Sequence, residues 1–119
     1  MQGLTIVVAG RDPERFHAAL SLAAANAALD RRTRLFLQGD AASLIRALDA
    51  KPDVHHARHG VPSLGQIFAE ARALGVEFIV CQSGLALAGL SAEDLPEGAS
   101  TGGLIELLRT RGDDELVMA

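Results

Sequence analysis

The chain carries one cysteine, Cys81, and its setting is the strongest chemical signal in the sequence. The apolar run "VEFIV" precedes Cys81, and "QSGLALAGL" follows it. The run predicts a buried strand, and the segment after it predicts a helix or a helical turn. Because parallel α/β sheets bind ligands beyond the carboxyl ends of their strands, this pattern places Cys81 at the edge where chemistry takes place.

Two interpretations of Cys81 remain open at this point. In the first, unpaired backbone N–H groups at the start of a helix stabilise a thiolate, and Cys81 is a reactive nucleophile. These groups belong to Gln82, Ser83 and Gly84. In the second, apolar neighbours such as Val80 bury an inert side chain, because free cysteine often behaves as a small hydrophobe.

Gly10 and Arg11 form a second candidate, directly after the first predicted strand. If this strand runs parallel to the one before Cys81, both strands end at the same edge of the sheet. The Arg11 guanidinium could then hold a thiolate, a sulfate or a persulfide by charge. The alternative is a solvated surface arginine after an ordinary turn glycine.

The segment "HHARH" contributes His55, His56 and His59. On a helix, His55 and His59 would share one face at the i, i+4 spacing that metal sites use. A polar surface loop is the simpler interpretation, and a third possibility is that one of these histidines lies over Cys81. We therefore assign no metal and keep His55 and His59 as the candidate pair, while His17 receives no role.

Several motifs that would define other functions are missing from the sequence. It has no G-x-G-x-x-G and no G-x-x-x-x-G-K-[ST], so the usual nucleotide cradles are lacking and no cofactor is expected. It has no C-x-x-C for dithiol chemistry and no G-x-S-x-G around Ser83 for a serine hydrolase.

The composition narrows the class of protein further. The 119 residues suit a single domain over 1–119, and 49% of them are hydrophobic but only 3% aromatic. The net charge of −4 and the lack of a basic face argue against nucleic-acid binding. No apolar run is long enough to cross a bilayer. One cysteine forms no intrachain disulfide, and we see no secretory leader, so we expect a cytoplasmic protein.

Apolar runs and helix signals alternate along the chain. Strands are predicted at 4–9, 33–38, 76–81 and 114–119, with a short one near Ala99. Helices are predicted at 13–29, 41–48, 64–74, in 82–90, and from Ser100 or Thr101 to Gly112. This order predicts a three-layer α/β fold with a mainly parallel, five-stranded sheet and helices on both faces.

Local signals support several of these boundaries. Asp12 before Pro13 is a favourable helix start, and Asp40 is predicted to cap the second helix. Ser63 and Gln66 have the spacing of a capping box, and Gly75 suits the position after a helix end.

The segments "CQSGLALAGLSAEDLPEG", "TGGLIELL" and "DELVMA" resemble the carboxyl-terminal half of the DsrE-like sulfur-relay family. The matching positions are Cys81, Gly89, Leu90, Glu93, Asp94, Leu95 and Gly102. The opening "LTIVVAGRDPERFHAALSLAAANAAL" is also similar, so the resemblance covers most of the chain. One departure concerns Gly84 and Leu85, which stand where this subgroup often has Ser and Met. Ser83 is then a candidate cap one residue early.

The resemblance implies a flavodoxin-like subunit that assembles as a homo-oligomer, either a trimer or a hexamer. It also implies that Cys81 accepts sulfur as a persulfide from a donor protein and passes it to an acceptor protein. Whether this makes the protein a sulfurtransferase enzyme or a carrier stays open. The alternative is a non-catalytic oligomer of the same fold that binds a small anion or serves as a scaffold.

Overall fold

A computed structural model of the chain describes residues 2–51 and 53–119. Within them the strands are β1 (Leu4–Ala9), β2 (Thr33–Gln38), β3 (Glu77–Cys81), β4 (Ala99–Gly102) and β5 (Glu115–Met118). The helices are α1 (Pro13–Ala28), α2 (Val54–Arg58), α3 (Leu64–Ala73), α4 (Gln82–Leu87) and α5 (Leu104–Arg109), with 3₁₀ helices at Gly39–Asp49 and Ala92–Asp94. The sheet order is β4-β3-β2-β1-β5 and all pairings are parallel, which confirms the predicted fold class.

The sheet order explains how the helices divide between the two faces. The chain moves one position in the same direction from β1 to β2, β3 and β4. Right-handed crossovers then place the connecting segments on one side, here called the first face. The return from β4 to β5 runs in the opposite direction, so α5 lies on the other side, the second face. Helices occupy both faces, as predicted, but α5 has only six residues.

The main core lies between the first face and the helices that cover it. Alternate strand residues point into it because the side-chain period of a strand is two. They include Ile6, Val8, Leu35, Leu37, Phe78 and Val80, all at most 3% exposed. Helix α1 presents Phe16 and Leu20, and a stripe of buried alanines lets it approach the sheet closely. The Ala-rich stretch of the sequence is therefore a packing surface.

The second face has a much smaller core. Val7 and Phe36 point to this side, and Leu107 of α5 covers them. Ile79 and Cys81 are partly buried against this cluster. The carboxyl-terminal edge of this face is therefore less covered than the first face, and Cys81 is at that edge.

Two predicted helix starts are confirmed by their caps. The Asp12 side chain accepts a hydrogen bond from the Glu14 amide at 2.9 Å, and Pro13 opens α1. Ser63 and Gln66 form the complete capping box before α3. Such reciprocal bonds satisfy amides that a helix start leaves free. Gly75 follows α3 with a φ of +96°, a left-handed conformation that favours glycine.

Two other boundaries differ from the prediction. The segment predicted as a second α-helix is a 3₁₀ helix from Gly39 to Asp49, and the side chain of Asp40 does not cap it. Ser43 donates to the Asp40 carbonyl at 2.8 Å, a local bond that competes with regular α-helical pairing. The prediction that the last helix begins at Ser100 or Thr101 is also wrong. Both residues pair with β3 as part of β4, because strand pairing overrides their local preference for a helix start.

Arg34 lies buried on the second face, with only 2% of its surface exposed. Its Nε and Nη2 donate to Thr5 Oγ1 at 3.2 and 3.1 Å. Its Nη1 donates to Thr110 Oγ1 at 2.8 Å, and Nη2 also donates to the Leu107 carbonyl at 3.1 Å. The guanidinium thereby ties β2 to β1 and to the end of α5.

Asp114, just before β5, supplies the opposite charge and is 2% exposed. Its Oδ2 lies 4.0 Å from Arg34 Nε and 3.3 Å from Arg32 Nη1. Burial, and then the nearby Arg32 charge, lower the pKa of Arg34, while Asp114 and Glu77 raise it. Because arginine stays protonated in folded and unfolded chains alike, this group adds no pH dependence to stability between about pH 5 and 9.

We predict that Arg34→Met destabilises the protein by about 3–5 kcal/mol, because it breaks a buried charge network and leaves Thr110, Leu107 and Asp114 short of a donor. Urea denaturation followed by circular dichroism measures the loss. The control is Arg109→Met, which removes an exposed pair with Glu106 at 3.0 Å. Such pairs are typically worth less than about 1 kcal/mol. Equal losses in the two variants would contradict this account of the second face.

Candidate functional site

Cys81 is both the last residue of β3 and the residue that caps α4. Its Sγ accepts a hydrogen bond from the Gly84 amide at 3.4 Å. The structure therefore has the strand end and the helix start that the sequence predicts. One of the unpaired amides of the helix start is directed at the sulfur, and the side chain is only partly buried.

Strand alternation decides which face carries the sulfur. Phe78 and Val80 point into the core of the first face, whereas Ile79 and Cys81 pack against the cluster of the second face. The thiol therefore lies on the thinly covered side of the sheet, at its carboxyl edge.

The residues beside Cys81 in the sheet form a row at this edge, called here the edge row. The register pairs Ala9 with Gln38 and Cys81 with Gly102. Gln38 comes directly after the paired Leu37 of β2, so it occupies the position next to Cys81. Small residues thus stand at both ends of the row. Gln38 was not among the residues predicted from the sequence, where its only signal was a polar side chain that closes an apolar strand.

Gly84 is required by close backbone packing. A Cβ at this position would overlap the carbonyl oxygen of Gly39, at the start of the first 3₁₀ helix. Leu85 is 4% exposed and fills the core of the first face. The departure of Gly84 and Leu85 from the family pattern therefore has a structural explanation. Gly84 lets α4 approach Gly39, and Leu85 packs into the core of the first face.

The remaining residues of the first α4 turn are open to solvent. Gln82 and Ser83 are exposed, and the capping group is the sulfur of Cys81. The prediction that Ser83 caps the helix is wrong, because α4 begins one residue too early for it. The predicted role of Gln82, Ser83 and Gly84 in binding an anion stays a prediction.

Gly10 and Arg11 follow β1 at the same carboxyl edge. Gly10 has a φ of +82°, which turns the chain sharply out of the strand, and Arg11 is exposed. One strand, β2, lies between them and β3, so their backbones stand about 10 Å from that of Cys81. Among the described residues, no hydrogen bond or ion pair joins Arg11 to Cys81. Its role in holding an anion stays a prediction.

The histidine segment forms α2 and is exposed throughout. The rings of His55 and His59 lie 4.7 Å apart between centroids, as the i, i+4 spacing predicts. Asp53 caps this helix, and hydrogen bonds from the His56 and His55 amides lower the pKa of its carboxyl group. Over residues 2–51 and 53–119, no group of three or more His, Cys, Asp or Glu side chains could hold a metal ion.

Cys81 lines neither of two surface cavities that described residues form. A cavity of about 600 Å³ lies between the first turns of α1 and α3 and is lined by His17 and His56. The ring Nε2 of His17 is 2.8 Å from the Pro62 carbonyl oxygen, so this partly buried histidine contacts the segment that leads into α3. A cavity of about 360 Å³ lies on the second face and is lined by Ile79 and Gly102, which are neighbours of Cys81 in the sheet.

No helix within residues 2–51 and 53–119 has the length and apolarity needed to cross a bilayer.

We predict that Gly84→Ala destabilises the fold by about 1–3 kcal/mol, because the added methyl group overpacks against the Gly39 backbone. It should also change the rate at which iodoacetamide alkylates Cys81 in the native protein, since the donor to Sγ must move. The control is Ser83→Ala, at an exposed position of the same helix turn. A Gly84→Ala variant as stable and as reactive as the unaltered protein would show that α4 does not need this contact.

Two solved structures resemble the chain over its whole length. The ychN protein from E. coli is 24% identical, with a TM-score of 0.71 and complete coverage of both chains. A protein of unknown function, MTH1491 from Methanobacterium thermoautotrophicum, is 17% identical, again with a TM-score of 0.71 and complete coverage. At these identities the likeness concerns the fold alone.

A search of curated proteins finds no match. The sequence profile of the DsrE/DsrF-like family, by contrast, matches residues 2–116. This range takes in Cys81 and the whole edge row. The chain therefore belongs to the DsrE/DsrF-like family.

Proposed function

We propose that this protein is a sulfur carrier that accepts sulfur as a persulfide on Cys81. The observation that carries the proposal is the hydrogen bond from the Gly84 amide to Cys81 Sγ on a partly exposed strand end. The amide donor holds the sulfur as a hydrogen-bond acceptor at an accessible position, and cysteine attacks as the thiolate. Membership of a family that is linked to sulfur relay supports the same chemistry.

The reaction follows from thiol chemistry. The Cys81 thiolate attacks the terminal sulfur of a persulfide on a donor protein, a new S–S bond forms, and the donor S–S bond breaks. The donor leaves as a thiolate, and Cys81 becomes a persulfide. An acceptor thiolate then attacks the terminal sulfur and regenerates Cys81. No second cysteine of the chain is needed, which agrees with the single cysteine of the sequence.

The surrounding groups would stabilise the anion. The Gly84 amide contacts Sγ, and the amides of Gln82 and Ser83 open the same helix turn. Arg11 could reach an anion above the edge row, since it is exposed and Gly10 turns the chain there. The proposal places the protein in a reducing cytoplasm, where a free thiol persists.

A second candidate function is a non-catalytic, oligomeric protein of the same fold that binds a small anion or acts as a scaffold. The observation in its favour is that Cys81 packs against the small apolar core of the second face. In that case the Cys81 side chain would be part of this core, and its sulfur would cap α4.

We predict that incubation with a persulfide donor adds about 32 Da, one sulfur atom, to the protein, and that Cys81→Ser abolishes the addition. Intact-mass spectrometry under non-reducing conditions gives the readout. Native alkylation of Cys81 by iodoacetamide checks that the thiol is accessible. If Cys81 reacts only after denaturation and takes up no sulfur, the scaffold function is the correct one.

The homo-oligomer predicted from the sequence is also part of the proposal, as a trimer or hexamer built from copies of this chain. The second face and α5 expose large apolar side chains: Leu104, Ile105, Leu108, Leu116 and Met118. Ile105 is 77% exposed and Met118 64%. Apolar patches of this kind usually mark protein interfaces.

We predict that Ile105→Glu lowers the mass measured by light scattering toward that of a monomer, because it places a charge in the interface. Leu22→Glu, on the outer side of α1 where Leu22 is 45% exposed, is the matched control and should leave the mass unchanged. A monomeric protein before any substitution would refute the oligomer.

A further inference from the structure

Gln38 has a buried side-chain oxygen that lacks a hydrogen bond. Its Oε1 is shielded from solvent and has no partner, and no other buried side-chain nitrogen or oxygen of the described residues is in this state. Buried polar atoms in native proteins are almost always satisfied, so a single exception needs a physical reason.

The position of Gln38 supplies that reason. Leu37 points into the first-face core and Phe36 into the second-face cluster, so strand alternation places Gln38 on the second face. There it stands beside Cys81 in the edge row, and neighbouring strands are about 4.8 Å apart. Ala9 and Gly102, the other members of the row, have no polar side-chain group. The free oxygen therefore belongs to the residue beside Cys81, on the face of the sheet that carries the sulfur.

We propose that Gln38 is a positioning residue that holds the sulfur carried on Cys81, an inference that rests on the function proposed above. In the resting protein Cys81 Sγ does not satisfy Oε1. A persulfide extends Cys81 by one S–S bond of about 2.05 Å and brings a terminal S–H, a hydrogen-bond donor, into the row. The amide oxygen of Gln38 accepts a hydrogen bond from this S–H group. When the persulfide is deprotonated, rotation of the amide lets its NH₂ group donate to the terminal sulfur instead.

If Gln38 had a purely structural role, its side-chain oxygen would be paired, and replacing Gln38 would weaken the fold. An unpaired buried oxygen lowers stability, so an apolar residue of similar shape is neutral or stabilising. The unpaired oxygen of Gln38 lowers the stability of the resting protein. The proposed hydrogen bond, which forms only when Cys81 carries sulfur, explains why the oxygen is unpaired.

The test compares Gln38→Met, which keeps an unbranched side chain of similar length, with Gln2→Met, at an exposed glutamine before β1 and away from the edge row. Each protein is loaded with a persulfide donor, and the half-life of the loaded form is followed by intact-mass spectrometry. We expect Gln38→Met to shorten this half-life at least about fivefold and Gln2→Met to change it less than about twofold. The melting temperature of Gln38→Met should be unchanged or higher, and its resting thiol should react with iodoacetamide as before.

The outcomes separate the two proposals. If the unaltered protein takes up no sulfur, the carrier function fails and the role of Gln38 fails with it. If the unaltered protein and Gln38→Met hold sulfur equally long, the carrier function stands and the inference about Gln38 is overturned. A marked fall in the melting temperature of both Gln38→Met and a second variant, Gln38→Leu, would also overturn it, because Gln38 would then be structural.

Discussion

The handedness of the connections between strands determines which helices cover each face of the sheet, and the rest of the structure depends on that division. Three successive right-handed crossovers in one direction stack α1, α3 and the first 3₁₀ helix on the same face of the sheet. Only the return to β5 crosses the other face, and it does so with a helix of six residues. One face is consequently a deep aliphatic core, and the other is thin, partly apolar and open at the carboxyl edge. Side-chain alternation in β3 places the sulfur of Cys81 on the open one.

A thin layer needs its own means of stabilisation, and the buried Arg34 provides it. Its guanidinium reaches β1, the end of α5 and the segment before β5, at the opposite end of the strands from Cys81. The charged network ties the short helix to the sheet at that end. Apolar residues of α5 and β5 stay exposed on this side of the sheet.

The edge row combines constraints of different kinds around one sulfur. The Gly84 amide donates to Sγ, and the lack of a Cβ at Gly84 lets α4 approach the Gly39 carbonyl closely. Ala9 and Gly102 are the small members of the row, and Gln38 beside Cys81 has an unpaired buried oxygen. The unpaired oxygen lowers stability, so stability alone does not explain it. These features surround the single cysteine of a DsrE/DsrF-like protein.

The sequence by itself determined the fold class, the position of Cys81 at a strand end, and the starts of α1 and α3. These follow from local rules: apolar runs make buried strands, and a side chain that caps its own helix needs only its neighbours in sequence. It did not determine the 3₁₀ helix after β2 or the start of α5, where strand pairing overrides local preference at Ser100 and Thr101. Nor could it show that Gly84 must lack a side chain or that Gln38 stands beside Cys81. Both depend on which strands are neighbours and in what register, and that is decided by contacts between residues that lie far apart in the chain.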